Sequence, residues 1–366
     1  YQDAGNSSYG TAIVGTVGGT DNASISFGTE VVFATVVANY ATIEFASNTG
    51  DVVITYSDAG NSNYGTAVVG VVDASDSSIS FGTPVAFNAA ATTIVKATNN
   101  VATGQIVIFH NSSGVKAVVG TISGTAISFG SAVVVSAAVT FGYRMFGVYD
   151  PDSAKIVFSF YKSSTTDVIV VMGTVSGTGA SATIAFGTET VYGTKSGYGQ
   201  SVTYDTTLNK VVIVSRNVTS AADYSGSFAV GTVSGTTISF APAIPFYTDS
   251  FLGQESSILY DPDSGQCVVF FEQGASPYTS YVTLINAAVV TNTDGWIGIA
   301  DADAADAAAC PVRLLGSVAS GQTSLTVASK YYLQMNGSLD TTVVTGREIG
   351  TAISATEILL TQGSVS

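Results

Sequence analysis

The side chains that could do chemistry are few in this chain. His110, in the run IVIFHNSSG, is its one histidine and sits at a strand end; Cys267 and Cys310 are its two cysteines. Without a second His or Cys beside it, His110 suits neither a metal site nor a Cys–His pair and reads as a satisfied turn histidine. No G-x-S-x-G elbow is present, and one histidine cannot be matched to a particular serine. The glutamates fall at positions 30, 44, 189, 255, 272, 348 and 357. Glu255 and Glu272 flank one hairpin and form the conceivable carboxylate pair for glycoside cleavage, which needs two carboxyls about 5–10 Å apart. The run DADAAD (Asp301–Asp306) has alternating carboxylates but lacks the glycine and closing glutamate of a calcium loop, so it reads as a solvated Ala/Asp loop. The expectation is therefore no catalytic residue, no metal site and no cofactor.

Two loop clusters remain. Tyr1, Asp3, Asn6 and Tyr9 lie in YQDAGNSSYGTAIVGTV, and Tyr56, Asp58, Asn61 and Tyr64 lie in its near copy YSDAGNSNYGTAVVGVV. Tyrosine rings beside Asn and Asp suit a sugar, with ring faces stacking and amides bonding hydroxyls. The competing reading is that Asp-Ala-Gly-Asn is a turn, flanked by tyrosines that pack between repeats.

Elements of β type must hold these residues. Of the 366 residues, 46% are hydrophobic and only 10% charged, with a net charge of −15. Such a chain has ample material for a core, and a prior of about two domains. Its acidity excludes nucleic acid and anionic membranes as partners, because phosphates require Lys and Arg. No apolar run approaches the roughly 20 residues of a membrane helix. Cys267, within QCVVFF, reads as a small buried hydrophobe, and a Cys267–Cys310 bridge has nothing to support it.

The phrase I-[SA]-F-[GA] recurs at Ile25, Ile79, Ile127, Ile184 and Ile238, at intervals of 54, 48, 57 and 54 residues. Before each lies a glycine-punctuated phrase such as VGTVGGT (Val14–Thr20) or VGTISGT (Val119–Thr125). Each full unit divides into four strands, the first two joined by turns such as DPDSA (Asp150–Ala154) and DPDSG (Asp261–Gly265). The second strands are apolar on both faces, as in Ile156–Tyr161, so neighbouring units must cover each other. Gly28, Gly82, Gly130 and Gly187 follow the phenylalanine and would let the fourth strand twist or bulge. Four strands per unit of about 50 residues is the arithmetic of a β-propeller, here of five to seven blades; a linear β array is the alternative.

The units are a half-unit at 1–33, then 34–87, 88–135, 136–192, 193–247 and 248–290, followed by a small C-terminal β domain at 291–366. The half-unit either closes a ring with C-terminal strands or is the remainder of a longer chain; the missing Met and the nearly complete sixth unit favour the longer chain. Asn336-Gly337 marks a hairpin in the C-terminal domain.

The C-terminal phrases W-I-G-I-A (Trp296–Ala300), G-Q-T-S-L-T-V (Gly321–Val327), K-Y-Y-L-Q-M-N-G-S-L (Lys330–Leu339) and G-T-A-I-S-A-T-E-I-L-L (Gly350–Leu360) resemble those of phage tail-fibre and virion structural proteins of marine and cyanobacterial viruses. The VGTVSGT and ISFG repeats are similar to repeats of the same proteins. The resemblance implies a non-enzymatic virion appendage on the virion surface or in an extracellular setting. Other virion or filament subunits, host-surface glycans and further copies of itself would be its partners. A bacterial extracellular adhesin or filament subunit, and a glycan-cleaving propeller, are the alternatives.

Overall fold

The computed structural model describes all residues except 19–23, 138–144, 163, 166, 195–199, 217–224, 248–255, 274–278, 286, 288–297, 301–311, 315–317, 320–321, 323, 334–338, 342–347 and 361–366. Among the described residues the fold is all-β, with three short 3-10 turns and no α-helix. The chain divides into two compact units, Tyr1–Ile285 and Asn286–Ser366.

The first unit is a β-propeller built of repeated antiparallel sheets. Thr93–Asn100, Gln105–Asn111, Val115–Ser123 and Ala126–Phe129 follow one another in space as in sequence, from the inner strand outwards. The same order recurs from Met145–Asp150 to Thr183–Phe186 and from Ser201–Asp205 to Thr237–Phe240. The last sheet has three described strands, Ser256–Asp261, Gln266–Gln273 and Thr279–Ile285. Inner strands of successive sheets stand side by side, so each sheet is a blade.

The fourth strand is longer than its sequence phrase. After the glycine it leaves the ladder and returns as a second segment, such as Val85–Ala91 or Val133–Ser136, pairing with the other end of the third strand. Val31–Ala46 performs both tasks. Its first half is the outer segment of the N-terminal half-sheet, and its second half is the inner strand of the first blade. The change of sheet falls between Val37 and Ala38, and the new ladder is then interrupted at Tyr40, whose φ of 54° is left-handed.

Two glycine positions explain the repeat phrases. In V-G-T the glycine faces the Ile and Phe of I-S-F: a Cβ on Gly120 would lie 2.8 Å from Ile127 Cδ1 and from Phe129 Cε1. In I-S-F-G the glycine touches the next blade. A Cβ on Gly28, Gly82, Gly130 or Gly187 would fall 2.0, 1.9, 1.7 or 2.0 Å from the carbonyl oxygen of Ser77, Thr125, Ala182 or Thr236, beside the outer hairpin of the following blade. These glycines thus permit backbone contact between blades, where the sequence suggested a twist within one strand. The fifth copy reads I-S-F-A, and its Ala241 precedes the blade whose described strands include no fourth.

Each interface is an apolar seam. Val107, Phe109 and Val119 of the second blade meet Ile156, Phe158 and Ile169 of the third, with Phe109 and Phe158 stacked at 3.6 Å between centroids. Full burial of each such side chain contributes roughly 1.5–3 kcal/mol. Cys267 is fully buried, and burial pushes its thiol up to about 12. Cys310 lies outside the described residues.

His110 departs from the sequence reading. It is the penultimate residue of a central strand, fully buried against Phe87 at 5.4 Å between ring centroids. Neither ring nitrogen has a protein partner. Burial first, and the charge of Lys116 second, lower its pKa to about 4.

In the second unit, strands Val318–Ala319, Ile358–Leu360, Glu348–Ala352, Lys330–Leu333 and Leu339–Asp340 form one sheet in that order. Tyr331, Ile349, Ala352, Ile358 and Leu360 make its core. Leu333 pairs with Leu339 across the expected Asn336-Gly337 connection, which itself lies outside the described residues.

Candidate functional site

The inner strands end in a set of equivalent positions. Ala46, Asn100, Asp150, Asp205 and Asp261 close the strand, each opposite the first residue of the second strand. The aspartates there are structural. Asp150 Oδ1 accepts from Asp152 N at 3.0 Å and Ser153 N at 3.2 Å, and Asp205 Oδ1 accepts from Thr207 N and Leu208 N at 2.9 Å each. A carboxylate fixed by its own turn is spent on the hairpin.

One residue earlier stand Phe45, Asn99, Tyr149, Tyr204 and Tyr260, and four of these five reach back to the preceding blade's turn. Asn99 Nδ2 donates to Ser47 Oγ at 2.9 Å, and Tyr260 Oη and Thr207 Oγ1 are 2.5 Å apart. The Tyr149 hydroxyl accepts from Ala102 N–H, while burial raises its pKa. Tyr204 lies beside Asp150; burial first, and that charge second, hold its phenol above the usual range.

Glu44 is the exception on this inner surface. It follows Ile43 in TIEFA and faces the second blade, where the backbone N–H of Asn99 donates to Oε1 at 2.8 Å. Burial pushes its carboxyl pKa up, and the Asn99 bond only partly offsets this. Around it opens a cavity of about 370 Å³, lined by Ser47, Thr98, Asn99, Val148 and Tyr149 among others. Thr98 Oγ1 and Asn99 Oδ1 have no protein partner, although both residues are more than nine-tenths buried. The site thus offers a carboxyl with a raised pKa and a small apolar wall, with two unpartnered oxygens buried behind that surface. Nothing in the sequence around Glu44 announces it except a charged residue in an apolar strand; its partner lies 55 positions away.

The two Tyr/Asp/Asn clusters form matching turns between second and third strands. Asp3 Oδ1 accepts from Gly5 N at 2.9 Å; Asp58 Oδ1 accepts from Gly60 N at 2.9 Å and Asn61 N at 3.1 Å. The turns close on consecutive left-handed residues, Ser7 and Ser8 in one and Ser62 and Asn63 in the other. Tyr56 is buried edge-on to Phe33 at 5.5 Å between ring centroids. Tyr9 and Tyr64 are half-buried, and Asn6 and Asn61 are exposed. Tyr1 is exposed, and its hydrogen bond to Glu30 pushes the phenol up to about 12. Each cluster keeps its residues near one turn, and the clusters stand apart from the Glu44 cavity. Glu272 is exposed, while Glu255 and the Asp301–Asp306 run lie outside the described residues. Among the described residues no group of three His, Cys, Asp or Glu could hold a metal ion.

No protein-family model matches the chain, and no curated protein matches it. Among solved structures it is similar to an exo-β-1,3-galactanase of Phanerochaete chrysosporium with β-1,3-galactotriose, at 9% identity and a TM-score of 0.40 over 74% of this chain. It is likewise similar to an exo-β-1,3-galactanase of Clostridium thermocellum, at 10% identity and a TM-score of 0.41 over 75% of this chain. The chain spans 64% of the length of each, under two thirds. The expectation of a non-enzymatic virion appendage is corrected by this finding, since both are galactanases and neither is an appendage protein. The companion expectation, that the chain is not an enzyme, falls with it.

Proposed function

We propose that the protein is a carbohydrate-active enzyme that takes a neutral saccharide into the inner-strand cavity and uses Glu44 as proton donor. The observation that carries this reading is the Glu44 carboxyl, desolvated in an open cavity with no cationic side chain among the described residues that line it. Desolvation raises the pKa of a carboxyl, which is the direction that a general acid for a glycosidic oxygen requires. Val148 and Tyr149 supply apolar wall for a sugar face. The net charge of −15 disfavours polyanionic glycans and leaves neutral ones.

Among the described residues lining the cavity, Glu44 is the one carboxyl group. Proton donation is therefore the step assigned to this site. The test is a panel of neutral oligosaccharides assayed for release of reducing ends, with binding followed by calorimetry. Glu44→Gln should lower kcat by about 10²–10⁴-fold while leaving saccharide affinity within a few-fold. No release by the parent protein from any substrate, or equal release by Glu44→Gln, would end this reading.

A further inference from the structure

The joint between the first and second blades departs from the repeat at three positions that touch one another. Its inner-strand residue is Asn99, where the following joints carry Tyr149, Tyr204 and Tyr260. Glu44 stands where the other inner strands have the uncharged Thr98, Val148, Thr203 and Leu259. Ser47 stands where the later turns have Val101, Pro151, Thr206 and Pro262. Asn99 joins the other two: its backbone N–H donates to Glu44 Oε1 at 2.8 Å, and its Nδ2 donates to Ser47 Oγ at 2.9 Å. Units of one repeat share their architectural residues, so a set that changes together and in contact answers to another demand.

The architectural task of the missing tyrosine has moved to a neighbour. At the other joints the phenol reaches the second residue of the preceding turn: Ala102 N–H for Tyr149, Asp152 N–H for Tyr204 and the Thr207 hydroxyl for Tyr260. The first blade has Asn48 at that place, and Asn48 reaches the opposite way. With its amide assigned from its neighbours, Nδ2 donates to Val101 O at 2.8 Å and Oδ1 accepts from Gly104 N at 3.1 Å. Asn48 thus fastens the joint, and Asn99 need not span it. The cavity of about 370 Å³ that holds Glu44 lies at this joint, lined by both Ser47 and Asn99.

We propose that Asn99 and Ser47 are positioning residues for the Glu44 carboxyl, and that asparagine in place of tyrosine keeps the cavity open to a ligand. Ser47 fixes the Asn99 side chain, and with it the amide that orients Glu44. The short side chain leaves room beside the carboxyl for the sugar, a role that rests on the reading of this cavity as a saccharide site.

The test uses the full chain with Ser47→Ala and with Asn99→Tyr. Carbon-detected NMR of glutamate-labelled protein follows the Glu44 carboxyl, identified by its loss in Glu44→Gln. The Asn99 amide favours the ionised form, so loosening it in Ser47→Ala should raise the Glu44 pKa by about half a pH unit or more. Calorimetry with the neutral trisaccharides of glucose, galactose, mannose and xylose reads the second role. Asn99→Tyr should weaken the best of them at least about tenfold, because the ring fills the room beside Glu44. Its Tm should stay within about 3 °C of the parent, since the later joints already hold tyrosine there. An unchanged Glu44 titration in Ser47→Ala overturns the positioning role. Undiminished binding by Asn99→Tyr overturns the opening role, and so does an Asn99→Tyr chain that does not fold, because packing would then demand the short residue. If the parent binds no trisaccharide, the saccharide reading and the opening role fail together, while the titration still decides the positioning role.

Discussion

Replacing Gly130 by alanine tests the account of how neighbouring blades meet. Gly130 lies outside the left-handed region, so a Cβ there carries no conformational penalty. At such a position Gly→Ala ordinarily stabilises by about 0.4–1 kcal/mol, because the unfolded chain loses freedom. Here the added carbon would sit 1.7 Å from the Ala182 carbonyl oxygen and 2.7 Å from its carbon. The obstacle is backbone, so no rotamer change relieves it, and the second and third blades must part by more than an ångström. Overpacking of this kind costs about 1–3 kcal/mol, and the rigid partner places Gly130→Ala at the upper end. That corresponds to a fall in Tm of roughly 5–10 °C for a unit of this size. Equilibrium urea denaturation, with Ala241→Gly as the control at the repeat's fifth copy, is the assay. Ala241 already carries a Cβ, so the control should cost no more than about 1 kcal/mol, the usual entropic loss for glycine. A Gly130→Ala protein as stable as its parent, or more stable, would refute the contact.

Two further outcomes are expected. His110 has a folded pKa of about 4 against an ordinary 6.5, so its neutral form stabilises the fold. That contribution is fully present above pH 6.5 and is lost as pH falls to about 4; at about 1.4 kcal/mol per pH unit it amounts to roughly 3 kcal/mol at most. His110→Leu should flatten the pH dependence of urea stability across that window, and an unchanged slope would show that other groups carry it. Ala154, at φ 54°, occupies the turn position held by Gly50, Gly104 and Gly265 in other blades. Ala154→Gly should raise stability by about 0.5–1 kcal/mol in a thermal melt, and a loss would mean that the turn tolerates alanine without strain.

The fold was legible where the physics is local. A phrase recurring every 50 or so residues, Asp-Pro turns and doubly apolar strands are sequence signals of covered β-sheets, and they located the inner hairpins within a few residues. The second segment of each fourth strand was not legible, because VAFN or IPFY has no pattern apart from the third strand it rejoins. The glycines of I-S-F-G were visible, but their cause was not: the atoms they avoid belong to the next blade, 43 to 52 residues on. His110 looked like a turn residue because the NSSG that follows it is one, yet its own ring is buried against Phe87 from the preceding blade. Glu44 was one glutamate among seven until the Asn99 amide was brought against it. Interactions between blades are thus the ones that a linear reading misses.

The residue that reaches back at the hub and the glycine that yields at the rim act on the same joint from opposite ends. Two contacts at different distances from the inner strands resist hinging between neighbouring blades. Three joints use tyrosine at the inner contact, and the joint between the first and second blades uses the shorter Asn99. That joint is also where Glu44 meets a backbone amide. Substituting tyrosine for Asn99 would remove the Asn99–Ser47 bond and crowd the one joint that holds Glu44 against a backbone amide.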